Sequence, residues 1–390
     1  MTTRVLAAYA PGPGHCNTVL PLVAQLAARP DTDVHLCGSR TVATTTGAAA
    51  LPVTCHHAGD DTYPAAGHDP TGEDITIAMG RRAHADTSAL ITRLRPDLIV
   101  ADTSARGAIL AGHDHRIPVL RVVACADAAT PTGSAAEAHR RTLIRGHPTP
   151  DPTPDGDLGL VAFGPRWFFL PGTPTEPLTC YRFQPDSPPA IDPPAPAARP
   201  RALVSFGTFL PEPPAPAWRA ILDGLLAAGA ASVALKIRHA PTRTALTTHA
   251  ENLTAGTGFD VTVTGDLDVR RHVAHADILV CHGSATSTLE ALAHGAVPII
   301  APRHNDTFHV AAQCARHHAA VILDWDTGFT PATITGAATT ALRSPALAAA
   351  VRRFQADNTA LPPISALAHH LATSPATPPR HATPQPGQRP

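Results

Sequence analysis

The sequence predicts an α/β protein built from two doubly wound parallel-sheet units facing across a cleft. Three observations predict it. Short continuous apolar runs alternate with helix-length segments along most of the 390 residues, the pattern of parallel strands buried on both faces and joined by helical crossovers. Both halves open on such an apolar run closed by a glycine-containing turn. Between them, residues 185–200 (PDSPPAIDPPAPAARP) hold seven prolines in sixteen positions, which excludes a helix interior or a central strand and leaves a stiff linker. The expected units are 1–184 and 201–370, with a polar, proline-rich flexible tail at 371–390. Length agrees, since single cores rarely grow past roughly 250 to 300 residues.

In chain order, residues 4–10 (RVLAAYA) form the first strand, closed by Pro11-Gly12-Pro13-Gly14. A helix follows, in which Val19, Leu22, Val23 and Leu26 recur at i, i+3, i+4 and i+7, with Asn17 or Thr18 as cap and Pro21 in the first turn. Strands at 33–37, 97–101 and 117–123 continue the sheet, with helices at 74–95 and 104–112 between them. The second half starts with 201–206 (RALVSF) and adds strands at 232–237, 259–264, 278–281 and 297–301. Its helices are expected at 217–228, 286–294, 308–317 and 331–356, the last with Thr330 as cap and Pro331 at its first position.

Composition narrows the function classes. Lys plus Arg (30) against Asp plus Glu (31) leaves a net charge of −1, without the positive field of a nucleic-acid binder. The seven cysteines include no C-x-x-C pair and are odd in number, which fits free thiols in a reducing, cytoplasmic setting. No apolar window approaches the ~18 residues of a membrane span, and the start lacks a signal-peptide pattern.

In open parallel sheets ligands sit beyond the carboxyl ends of the strands, so residues just after each strand are the chemical candidates. His15 follows the first strand and its Gly/Pro loop, where an imidazole with an ordinary value near 6.5 can act as general base. With 23 histidines in the chain, a packing or surface role is the competing reading. Cys16 beside it suggests a thiol–imidazole pair, but neighbouring residues at a helix start diverge. Asp102 ends the strand DLIVA, where its carboxylate can hold the tautomer of His15 or instead cap the helix near Ser104.

The second segment is 277–306 (DILVCHGSATSTLEALAHGAVPIIAPRHND). A strand ends in His282-Gly283-Ser284, and a helix starts among Ala285, Thr286, Ser287 and Thr288. Unpaired N–H groups and hydroxyls at a helix N-terminus suit a phosphate; helix capping is the plainer alternative. No Lys follows in the spacing of a Walker loop. Glu290 can accept hydrogen bonds from paired hydroxyls such as those of a ribose, or serve as an ordinary helix glutamate. After the next strand, Asn305-Asp306 offers a carboxylate to further hydroxyls, or to a turn.

The runs HGSATSTLEALAHGAVP and PRHND, with VSFGT at 204–208 and APGPGHCNTVLP at 10–21, resemble the signature of two-domain nucleotide-sugar glycosyltransferases. These modify natural products in actinobacteria and small molecules in plants. The resemblance covers nearly all the folded chain and is thin at 50–90 and 125–185. It implies the GT-B fold, with two Rossmann-type domains binding acceptor and donor, and antibiotic-type secondary metabolism as the setting. It further implies that His15 deprotonates the acceptor with Asp102 behind it. His282, Gly283, Ser284, Thr286 and Ser287 would grip the diphosphate, lined by Ser205, Gly207 and Thr208. Glu290 would meet the ribose and Asp306 the sugar hydroxyls. Two departures leave base and sugar open: Thr264-Gly265-Asp266-Leu267 stands where relatives often stack the base, and Thr307 where they commonly carry Gln.

The implied reaction is inverting transfer from a dTDP- or UDP-linked sugar, as co-substrate, to a hydroxyl of a small-molecule acceptor. No cofactor, metal or nucleic acid is called for, and a homodimer stays open. The Asp-x-Asp pairs (Asp31 with Asp33, Asp155 with Asp157, Asp266 with Asp268, Asp324 with Asp326) do not directly follow the phosphate loop and read as surface carboxylates. Two rivals remain: a sugar-nucleotide epimerase or phosphorylase on the same fold, and a non-catalytic partner that activates a transferase. The joint presence of His15 and Asp102 argues against the latter.

Overall fold

The computed structural model describes residues 2–61, 75–124, 142–145, 156–169, 178–183, 200–207, 212–255, 258–303 and 306–377. The chain divides into two compact units, one of Met1–Arg182 with Leu361–Pro390 and the other of Phe183–Ala360. The proline-rich 185–200 run lies outside the described residues except for Pro200.

The first unit carries β1 (Thr3–Ala8), β2 (Thr32–Gly38), β3 (Thr54–His57), β4 (Leu98–Asp102), β5 (Val119–Val122), β6 (Asp157–Phe163) and β7 (Leu178–Tyr181) in the order β3-β2-β1-β4-β5-β6-β7. Every pairing is parallel. Its helices are α1 (Pro13–Ala27), α2 (Arg40–Thr45), α3 (Ile75–Leu94), α4 (Arg106–Asp114) and α5 (Arg166–Phe169). Strand β4 is buried along its whole length, as the continuous apolar run LIVA requires. The order reverses between β1 and β4, so the loops leaving their carboxyl ends open a crevice there.

The second unit repeats the plan with β8 (Arg201–Ser205), β9 (Ser232–Lys236), β10 (Asp260–Thr264), β11 (Ile278–Cys281), β12 (Val297–Ile300) and β13 (Val321–Ile322), ordered β10-β9-β8-β11-β12-β13 and parallel throughout. Helices α6 (Ala215–Ala227), α7 (Ala240–Thr254), α8 (Val269–Val273), α9 (Ala285–His294), α10 (Asp306–Arg316), α11 (Pro331–Arg343) and α12 (Pro345–Thr359) accompany them. Here the reversal falls between β8 and β11, where Ser205 stands in register with Cys281.

Four sequence expectations change. Helix α1 begins at Pro13, whose missing N–H costs nothing at a first helical position, so Asn17 and Thr18 lie inside it and cap nothing. Thr18 Oγ1 donates back to the Gly14 carbonyl at 2.9 Å, and Pro21 sits in the helix interior. The helix expected over 331–356 is two helices, because Pro345 starts α12 and the Ser344 side chain accepts from the Leu347 N–H as its cap. Thr330 caps α11 by accepting from the Thr333 N–H. Strands β3, β6, β7 and β13 are additions: β3, β7 and β13 have only two to four residues each, and the seven residues of β6 are interrupted by Gly159. Finally, the chain beyond Ala360 returns to the first unit: α13 (Ile364–Thr373) packs on α1, and Thr3 Oγ1 donates to the Ala372 carbonyl at 2.8 Å. Leu367, Ala368 and Leu371 of α13 are buried, and that burial draws the segment away from the boundary expected at 370.

Candidate active site

Each unit gathers its chemical residues at the reversal point of its sheet. In the first, Asp102 ends β4, and Gly12, at φ 148°, turns the chain leaving β1 into α1 with a backbone that other residues rarely adopt. Asp102 is fully buried, and three donors meet its two oxygens. Oδ2 accepts from the Ala10 N–H at 2.6 Å, while Oδ1 accepts from the Ser104 N–H at 2.7 Å and faces His15 Nδ1 at 3.2 Å. The helix-cap reading of Asp102 is thus replaced by a turn bond to Ser104 made alongside the His15 contact; α4 itself starts at Arg106 without a side-chain cap. With Nδ1–H directed at the carboxylate, Nε2 carries the imidazole lone pair. The His15 side chain keeps 18% exposure, so it remains accessible.

Cys16 turns away from this pair. Its Sγ lies 3.3 Å from Thr46 Oγ1 in the core, and burial pushes the thiol up to about 12. A thiolate nucleophile is therefore not formed there at neutral pH. Among the described cysteines, Cys37, Cys180, Cys281 and Cys314 are likewise buried free thiols.

In the second unit, Ser205, Gly207, His282, Gly283 and Ser284 meet at the β8/β11 reversal. Ser205 and His282 are buried. Gly207 takes φ +75°, and a Cβ there would stand 2.7 Å from His282 Cε1, so only glycine lets the imidazole lie against this loop. Gly283, at φ +88°, brings the backbone against Ile300 of β12, where a Cβ would meet Cγ2 at 2.7 Å. Ser284 is the N-cap residue of α9, yet its side chain makes no capping hydrogen bond. The first N–H groups of this ten-residue helix consequently lack the side-chain partner a serine usually supplies, with Thr286 and Ser287 half-buried beside them. Those N–H groups and the helix dipole favour an anion.

Glu290 is buried inside α9, one turn before His294, with Oε2 3.8 Å from His294 Nε2, too long for a hydrogen bond. Burial, then His275, holds His294 below its ordinary 6.5. The unfolded chain therefore takes up this proton at higher pH than the folded one. The stability contributed by neutral His294 is complete above about 6.5 and is lost as pH falls towards the folded value. His294→Gln is expected to flatten the acid-side slope of the second unit's denaturation midpoint. An unchanged slope would remove His294 as its source.

Asp306 opens α10, half-buried, where the dipole favours a carboxylate. Thr208 and Asn305 lie outside the described residues. Sequence reasoning missed Lys236, the sole lysine of the chain. It ends β9 in register with Ser205 and donates from Nζ to the Leu267 carbonyl at 2.9 Å, tying down the 264–267 turn. Its uniqueness was the available signal. Also missed were Arg303, 4.7 Å over the Trp325 ring, and Phe206, edge-on to Trp325 and Trp218; each follows a strand's carboxyl end. Among the described residues no group of three or more His, Cys, Asp or Glu is placed to hold a metal, and no helix is long and apolar enough to cross a membrane.

No protein-family model matches the chain, and no curated protein does. Solved structures do. The glycotransferase of kitacinnamycin is similar over 96% of this chain and 99% of its own, with a TM-score of 0.74 at 19% identity. The glycosyltransferase VinC in complex with dTDP is similar over 95% and 99%, at TM-score 0.71 and 17% identity. SnogD from Streptomyces nogalater, also a glycosyltransferase, is similar over 96% and 99%, at 0.70 and 19%. These likenesses run through both units and show the fold: two Rossmann-type units of the GT-B architecture.

Proposed function

We propose that this chain is an inverting glycosyltransferase that moves a sugar from a nucleoside-diphosphate sugar to a hydroxyl of a small-molecule natural product. The observation that carries the reading is the buried Asp102 carboxylate, oriented by two backbone N–H groups and directed at His15 from the neighbouring strand. Such a pair equips an imidazole to take a proton from an alcohol and stabilises the imidazolium that results.

In this reaction His15 Nε2 takes the acceptor's proton as its oxygen attacks the anomeric carbon from the side opposite the diphosphate. The new C–O bond forms as the bond to the diphosphate breaks; the electron pair leaves with the nucleoside diphosphate, and the configuration inverts. Negative charge grows on the leaving group, where the α9 N-terminus, His282, Ser284, Thr286 and Ser287 act more strongly than in the ground state. Ser205 and Gly207 line the phosphates, Glu290 meets the ribose and Asp306 the sugar hydroxyls. The neighbour solved with dTDP supports a nucleoside-diphosphate donor, dTDP- or UDP-linked. The kitacinnamycin neighbour supports an acceptor from secondary metabolism. As written, the reaction calls for no cofactor, and it suits a cytoplasmic enzyme.

Calorimetric titration with dTDP and UDP tests the donor half. His282→Ala and Ser284→Val are each expected to weaken binding about tenfold or more, since hydrogen bonds to charged groups are worth roughly 1.5 to 3 kcal/mol. Unchanged affinity in both variants would place the phosphates elsewhere. Incubation with the donor alone is expected to leave the sugar's configuration unchanged, and an isomerised sugar would favour the epimerase.

A further inference from the structure

Strand β3 is the outer edge of the first unit's sheet, paired with β2 alone among the described strands. Between β3, the start of α2 and the second half of α3 lies an open surface hollow of about 360 Å³ lined by Arg40, Cys55, His56, His57, Asp86 and Arg93, all but His56 exposed. Two guanidiniums and two imidazoles there confront one carboxylate. Asp86 already accepts the Gly59 N–H at 2.8 Å. The Arg40 guanidinium makes no hydrogen bond or ion pair among the described residues, and Arg93 has one hydrogen bond, 3.3 Å from Nη2 to His56 Nδ1.

That bond sets the protons of everything behind it. Arginine only donates, so His56 Nδ1 accepts, and its Nε2–H donates to His35 Nδ1 at 3.0 Å. His35 Nε2–H then faces Asp33 Oδ2 at 3.4 Å, and the same oxygen accepts from Arg4 Nε at 2.8 Å. The relay runs in one direction and requires a neutral His56. Burial, then His35 and Arg93, holds His56 below its ordinary value.

We propose that this pocket binds a small molecule bearing a tetrahedral dianion of the phosphate class, and that binding is coupled to proton uptake at His56. The anion engages Arg40 and Arg93, whose planar forks match phosphate oxygens. Drawing Arg93 off His56 frees Nδ1 to take a proton, and the imidazolium then faces the anion. The groups facing His56 are His35 from β2 and Arg93 from α3, with Arg40, Asp86, and the Cys55 and His57 of its own strand around the pocket. His57 is partly engaged, its Nδ1 3.7 Å from Asp61 Oδ1. The volume lies within the ~300–1,000 Å³ of small-ligand sites, room for a phosphorylated metabolite as well as a bare ion. The pocket lies along the sheet edge, apart from the β1/β4 crevice that holds His15.

The test is calorimetric titration of the full chain with sulfate, which stays doubly charged between pH 6 and 8. Affinity is expected to rise severalfold from pH 8 to 6, and to fall tenfold or more in the Arg40→Ala/Arg93→Ala double variant. His56→Gln is expected to bind without the pH dependence, and saturating dTDP, which fills the α9 site, is expected to leave sulfate binding to this pocket in place, which separates the two. Sulfate affinity unchanged by the double variant, or sulfate binding abolished by saturating dTDP, would overturn the site; pH dependence surviving in His56→Gln would overturn the coupling. Parallel titrations with inorganic phosphate and glycerol 1-phosphate distinguish the sources: tighter glycerol phosphate identifies a phosphorylated metabolite, tighter phosphate the free anion.

Discussion

His15→Ala is expected to lower turnover on an alcohol acceptor by roughly 10²-fold or more while leaving donor affinity nearly intact, since general-base help is typically worth about 10² to 10⁴. Asp102→Asn keeps the shape of the buried site but removes the charge that stabilises the protonated imidazole, so turnover falls there too. The two losses should not add. Both changes disable one proton-accepting unit, and the double variant should be little worse than His15→Ala alone. An acidic phenol, which ionises by itself, should rescue His15→Ala better than an aliphatic alcohol does. A double-mutant cycle in turnover, with donor dissociation constants measured separately, decides the matter. Full activity of His15→Ala on the alcohol would end the general-base assignment; strictly additive losses would leave His15 in place and remove Asp102 as its partner. Since Asp102 Oδ2 also holds the Ala10 N–H, calorimetric melting of Asp102→Asn must show the unit still folded.

A second large effect is independent of the reaction. Gly107 lies in the buried face of α4, where alanine would ordinarily gain about 1 kcal/mol in helix propensity. Here the sign reverses, because a Cβ at Gly107 would run into the Gly80 carbonyl of α3 and stand 2.6 Å from the His84 nitrogen and 2.9 Å from Ala83 Cβ. These are mostly backbone atoms of a crossing helix and cannot rotate away. Gly107→Ala is expected to destabilise the first unit by about 1 to 3 kcal/mol or more, the usual cost of overpacking. At roughly 2 to 4 °C per kcal/mol, its melting temperature should fall by several degrees. The paired control is Gly336→Ala in α11, where a Cβ would meet no described atom within 4 Å, and which should stabilise by about 0.5 to 1 kcal/mol. Calorimetry that found both substitutions stabilising would show that α3 and α4 do not cross as closely as described.

Much of the fold is legible in local pattern alone. The strand openings at 4–10 and 201–206, the run ending in His282-Gly283-Ser284, and the Thr330-Pro331 helix start all lie close to where that pattern puts them. It carries that far because side-chain periodicity and capping act over a few residues. It fails where a competing local signal is present but outweighed, as at Ser344-Pro345, where uninterrupted apolar spacing hides a helix break. It fails differently at β3, β7 and β13, whose two to four residues give no period to read.

What the sequence by itself determined is therefore which residue types stand at the strand ends: a histidine after β1, an aspartate at the end of β4, and glycines with hydroxyls where β11 gives way to α9. Tertiary structure decided what they touch. Asp102 and His15 are 87 residues apart, and their 3.2 Å contact exists because β1 and β4 lie side by side. Gly207 matters because the β8/β11 pairing lays His282 against it, and Ser284 leaves its helix uncapped through a conformation no residue type dictates. The last helix crosses back to α1 for the same reason. Burial of apolar faces joins segments far apart in the chain, and that free energy depends on which surfaces meet, a quantity no local window contains.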